Sequence, residues 1–167
     1  IPWLLILMFT SILSGAILMD YREAIQVLPL LLSFVPMLMD TSGNCGNQSS
    51  TMVIRGMAVG DIELKDVLRV VWKEFRVGLL CGAVLAAANF IRLILQYPDR
   101  QALNLVIVLS LMLAIVLAKI IGCILPMLAE KMKLDPAIMA APLITTIVDA
   151  SSLLIYFKIA SMMLHLS

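Results

Sequence analysis

The run DTSGNCGNQSST, Asp40–Thr51, decides how this chain is read, because small and polar residues there interrupt a sequence that otherwise asks for hydrocarbon. The 167 residues are 62% hydrophobic and 14% charged, with a mean hydropathy of +1.07. Soluble domains carry about 45–50% apolar and about 25% charged residues. The composition is that of a polytopic membrane protein. Polar backbone at membrane depth survives only when buried in protein or facing a water-filled cavity. Close helix packing through small residues accounts for Gly43, Gly46 and Ser50. It leaves Asp40, Asn44, Asn47 and Gln48 without a reason. The expectation is a helix broken at this run, with its freed polar groups turned to a cavity.

Working outward, a spanning helix needs about 20 mostly apolar residues, and five segments qualify: Trp3–Met19, Val27–Ala58 containing the polar run, Val77–Leu95, Leu103–Leu128 and Ala137–Leu164. Pro136 suits the first turn of the last one. Between the second and third, GDIELKDVLRVVWKEFR places Ile62, Leu64, Val67, Leu68, Val71 and Trp72 at helical spacing, with charges on the other face. That pattern predicts an interfacial amphipathic helix. The fold class is therefore all-α membrane protein, five transmembrane helices with an interfacial helix between the second and third. Residues 1–167 read as one transmembrane ion-conducting domain.

Arg55, Lys65, Arg69, Lys73 and Arg76 fill one loop, and Lys131 and Lys133 another. The positive-inside rule puts both in the cytoplasm, hence the N-terminus inside and the C-terminus, Ser167, outside. Localisation is the cell's inner (plasma) membrane. A net charge of +1 offers no surplus for nucleic acid. Cys45, Cys81 and Cys123 have no close pair and read as buried structural thiols. The chain opens on Ile1 and reads as a fragment, its first segment lacking the basic region of a signal peptide.

The last segment, PLITTIVDASSLLIYF, places Thr145, Asp149 and Ser152 on one face at i, i+4 and i+7, with Pro142 a turn earlier. A mid-helix carboxylate costs about 2.5–3.5 kcal/mol on the insertion scale and needs a cation or a proton. Lys119 is the deeply placed base, so an Asp149–Lys119 pair is the plain structural reading. A bound metal ion or a proton relay is the functional one. Carboxylate, amide, hydroxyl and carbonyl oxygens favour a hard cation: magnesium, calcium or manganese. A single carboxylate among neutral oxygens suits an ion that keeps much of its water. No Ser–His–Asp set, phosphate loop or His-rich motif points to an enzyme; His165 reads as exposed, and the dispersed methionines as packing.

These residues resemble a known family. GNCGNQSSTMVIRGMAVGDI together with LDPAIMAAPLITTIVDASSLLIYF is similar to the transmembrane domain of the MgtE family of magnesium channels and transporters, and the resemblance covers essentially the whole chain. It implies a homodimer with a central pore lined by the second and fifth helices of both subunits. It implies that Asp149 holds hydrated magnesium, the transported and bound ion, with no other cofactor, and that Asp40, Gly43, Asn47 and Thr145 line the same path. Two places depart from the family pattern: Asp40 stands where glycine is expected, and Ala140-Ala141 where a more polar pair is. Family members carry a cytosolic regulatory part with CBS domains ahead of the first helix.

The reading is inward transport of hydrated magnesium across the lipid bilayer through a pore at a homodimer axis, driven by the electrochemical gradient. The alternative is a proton- or sodium-coupled carrier of cobalt, manganese or calcium with Asp149 as the coupling carboxylate. A membrane metalloenzyme acting on lipid headgroups would need a second cluster of carboxylates or histidines, which the sequence lacks.

Overall fold

The computed structural model describes residues 1–165, and at 2–4, 6, 10 and 137–142 the backbone only. Ala140, Ala141, Pro142 and Ser167 therefore lie outside the described side chains. Every regular element among the described residues is helical: α1 (Pro2–Asp20), α2 (Arg22–Val27), a 3-10 turn (Pro29–Phe34), α3 (Val35–Ala58), a short 3-10 turn (Leu64–Asp66), α4 (Val67–Gln96), α5 (Gln101–Lys131) and α6 (Pro136–Leu164).

Among the described residues, three stretches are long and apolar enough to cross a membrane: Leu64–Gln96, Gln101–Lys131 and Leu143–Leu164. The first helix offers the shorter apolar stretch Leu7–Asp20. α3 has the length, 24 residues or about 36 Å at 1.5 Å per residue, but its polar run lowers its hydropathy.

The expected break in α3 does not occur at the polar run. The helix is continuous from Val35 to Ala58, and the irregular backbone comes earlier, at Leu28–Phe34, where Pro29 and Pro36 start new helical segments. The hydroxyls of Ser42 and Thr51 close on their own helix instead of opening it. Ser42 Oγ donates to the Leu38 carbonyl at 2.7 Å, and Thr51 Oγ1 donates to the Asn47 carbonyl at 2.9 Å. Such back-bonding is the usual accommodation of hydroxyl residues inside a helix.

The interfacial helix also differs from expectation: it is not a separate element. After a turn at Gly60 (φ +80°), the Glu63 and Asp66 side chains form a reciprocal capping box, and α4 then runs unbroken from Val67 to Gln96. Val70, Glu74, Gly78, Gly82, Ala86, Asn89 and Leu93 form one buried stripe along it. The amphipathic pattern continues in phase with the apolar segment, so nothing ends the helix between them.

α5 is the hub. It packs against α3, α4 and α6, α3 also packs on α6, and α1 rests chiefly on α6. Glycines set two of the crossings. A Cβ on Gly122 of α5 would overlap the carbonyl oxygen of Gly46 on α3, and one on Gly78 of α4 would come within 3.2 Å of Val116 Cα. The core joins Leu31, Phe34 and Leu38 to Ile107, Leu111, Ile115, Tyr156 and Phe157. The Tyr156 hydroxyl, fully buried, donates to the Leu31 carbonyl at 3.0 Å. Cys45 and Cys123 are buried free thiols, while Cys81 is only half-buried.

Candidate functional site

α3 and α6 lie side by side, and their periodicity brings oxygen-bearing side chains to one seam. Asp40, Gly43, Asn44 and Asn47 follow one another at helical spacing on α3; Thr145 and Asp149 stand four apart on α6. With Met39 these residues line a recess of about 160 Å³, room for several water molecules. All five residues singled out from the sequence, Asp40, Gly43, Asn47, Thr145 and Asp149, border it.

Each contributes differently. Gly43 leaves the Asp149 carboxylate uncovered, since a Cβ there would stand 3.8 Å from Asp149 Oδ1. Asn47 Oδ1 is buried and has no hydrogen-bond partner. A buried acceptor without a donor costs about 1–3 kcal/mol, and the residue that carries it borders the recess. Asp40 is exposed and Asp149 half-buried, and two like charges on one recess favour a cation between them. Ser152, expected on the same face, is instead buried at the α3–α6 contact, its Oγ 2.8 Å from Ser42 Oγ.

Asp149 also borders a second recess of about 250 Å³, whose walls include Ser11 and Ser14 of α1 and Thr146. The sequence reading passed over these serines; their spacing of three in an apolar helix was the signal.

Lys119 does not pair with Asp149. Its Nζ lies 3.8 Å from Glu74 Oε2, and Ser49 Oγ donates to the same oxygen at 2.5 Å. Lys119, Glu74 and Ser49 are 6%, 7% and 1% exposed, so a buried charge pair ties α3, α4 and α5 together. Neither the Lys119–Glu74 nor the Lys65–Glu63 pair involves Asp149. Glu74 belongs to the charges of the amphipathic stretch, yet its place on the Val70–Gly78 stripe makes it interior.

No group of three or more His, Cys, Asp or Glu side chains converges on a common metal position among the described residues. The donor set at the α3–α6 recess is two carboxylates with amide and hydroxyl oxygens. That suits a hard cation held largely through its own water.

An all-helical chain with helices long and apolar enough to cross a bilayer falls in the class of helical membrane proteins. Residues 35–159 match the family MgtE, described as divalent cation transporter, and the chain belongs to that family. It is 37% identical over 165 residues to the magnesium transporter MgtE of Bacillus subtilis and 38% identical over 166 residues to that of Thermus thermophilus. It is 32% identical over 165 residues to the magnesium transporter MgtE of Enterococcus faecalis. Each alignment covers 99% of this chain but 36% of the relative, so the chain spans about a third of their length. The relatives are named as transporters, not enzymes.

Proposed function

We propose that residues 1–167 are the ion-conducting membrane part of a magnesium transporter, in which α1 and α3 cross the bilayer together with α4, α5 and α6. The observation that carries this reading is the α3–α6 recess, where Asp149, Asp40 and the unpartnered Asn47 Oδ1 meet. Its donors are carboxylate, amide and hydroxyl oxygens beside a single thioether, Met39, a set weighted toward hard cations. A second copy related by a two-fold axis would set two such recesses face to face and complete the path. Residues 55–76 and 129–135 then face the cytoplasm, following their basic residues.

No energy source beyond the membrane is needed. A divalent ion gains about 4.6 kcal/mol per 100 mV of inside-negative potential, equivalent to more than three decades of concentration at about 1.36 kcal/mol each. The test is magnesium uptake into proteoliposomes with and without an imposed inside-negative voltage. Voltage should accelerate uptake in the absence of any proton or sodium gradient. Uptake that requires such a gradient would favour the coupled-carrier reading with Asp149 as relay.

A further inference from the structure

α4 is longer than a bilayer core requires. Its 30 residues extend about 45 Å, against a hydrocarbon thickness of about 30 Å. Counting back from Gln96, where the helix ends, places Val67–Arg76 beyond the hydrocarbon and among the headgroups. The side chains there agree. Trp72 stacks on Phe75 with ring centroids 5.6 Å apart, and the Arg76 guanidinium lies 5.8 Å from the Trp72 ring centre. Aromatic and basic side chains of this kind mark the membrane–water interface.

At this depth a recess of about 320 Å³ opens between the last turns of α3 and the first of α4. Its wall is built, not incidental. The Asp61 and Ile62 amides both donate to the Gly56 carbonyl, at 2.9 and 3.1 Å, and fold the connecting segment back over α3. Gly56 permits this, because a Cβ there would meet the Ile62 side chain at 2.5 Å. Arg69 and Lys73 line the recess, one turn apart, and neither takes part in an ion pair of the described residues. Asp61 and Asp66 line it too, Val53 and Val70 give it an apolar floor, and Met52, 61% exposed, stands at its edge.

We propose that this recess binds a phospholipid whose headgroup joins a phosphate to a primary ammonium, the phosphate on Arg69 and Lys73 and the ammonium on Asp61 and Asp66. The mixed charge decides the class of occupant. A simple anion would face the two aspartates, and a divalent metal would face Arg69 and Lys73. Glu74 at the inner end is already held by Lys119 and Ser49. A quaternary choline group would fill space but has no N–H to donate to a carboxylate. The inference depends on α4 crossing the bilayer and not on which ion the protein moves.

The intact protein, purified in mild detergent, is titrated with phosphatidylethanolamine, phosphatidylcholine and phosphatidylglycerol, with bound lipid read by native mass spectrometry. Phosphatidylethanolamine should be retained about tenfold better than either other lipid, and the Arg69→Gln/Lys73→Gln variant should lose that preference. Asp61→Asn should narrow the gap between phosphatidylethanolamine and phosphatidylglycerol. Soluble glycerophosphoethanolamine at high concentration should displace the lipid if the headgroup is what is held. The altered side chains lie at the surface, and an unchanged melting temperature in phosphatidylcholine alone confirms that the variants fold. Equal retention of the three lipids by the wild type, or undiminished preference in the double variant, overturns the proposal. So does a crosslink from position 73 that shows the recess filled by another segment of the intact protein.

Discussion

Replacing Gly122 with alanine adds one methyl group at the point where α3 and α5 touch. The new Cβ would overlap the Gly46 carbonyl oxygen and lie 2.9 and 3.0 Å from the carbonyl carbon and Cα of the same residue. All three obstacles are backbone, so no rotamer change can relieve them. Ordinary carbon contacts of about 3.5–4.0 Å are restored only if the helices separate by about 1 Å. Such overpacking costs about 1–3 kcal/mol, and this case belongs at the upper end. Alanine returns about 1 kcal/mol through helix propensity, leaving a net loss of about 1–2 kcal/mol. Gly15→Ala is the control, since nothing lies within 4 Å of its Cβ; it should gain about 0.5–1 kcal/mol. Gly82→Ala meets Met112 at 3.4 Å and should fall between the two. Equilibrium unfolding in mixed micelles would measure the series. At about 2–4 °C per kcal/mol for a chain of this size, Gly122→Ala and Gly15→Ala should melt about 4–10 °C apart. Because Gly46 adjoins Asn47, Gly122→Ala should also slow magnesium flux. Equal stability of the two variants would refute the close α3–α5 approach.

Glu74→Gln leaves the Lys119 ammonium buried without its counter-charge and should destabilise by about 3–5 kcal/mol; Glu74→Gln with Lys119→Met should recover most of this in the same unfolding assay. Asp149→Asn keeps shape and removes charge, so magnesium uptake should fall at least tenfold while the melting curve stays in place; wild-type uptake by the folded variant would dismiss the α3–α6 recess as the ion path. Asp40→Gly, at the exposed rim, should cost less flux than Asp149→Asn, and equal losses would put the two acids on one footing. Single cysteines at Lys65 and Arg100, near opposite ends of α4, should react with an impermeant thiol reagent from opposite sides; labelling from one side would exclude a crossing α4.

What the sequence revealed and concealed follows from the range of the interactions concerned. Asp40, Gly43, Asn47, Thr145 and Asp149 could be grouped beforehand because helical spacing alone puts each set on one face, and because a polar face within an apolar chain needs shelter from lipid. The course of α3 was misjudged for an equally local reason. Ser42 and Thr51 have hydrogen-bond capacity that would serve a broken backbone, but the carbonyl one turn back lies nearer than any cavity. Lys119 is different. Its partner depends on how far α4 slides along α5, and that register is set by Gly78 against Val116 and Gly82 against Met112, contacts that no one-helix periodicity contains.

The same register explains why a costly buried pair sits beside the recess. Ser49 and Asn47 are two residues apart, so they face away from one another around α3. Ser49 is held by Glu74 on the α4–α5 side, while Asn47 borders the recess with α6. Gly46, on the side of the helix between their two directions and pressed on Gly122, allows α3 to lie close enough for both. Rotating α3 to improve one contact would therefore break the other, and the helix has one orientation that satisfies the buried charge and presents the Asn47 oxygen. If that coupling holds, Glu74→Gln with Lys119→Met should fold yet bind magnesium more weakly, its half-saturating concentration for uptake rising several-fold while the maximal rate changes less. An unchanged half-saturating concentration would confine the pair to stability and separate it from the ion path.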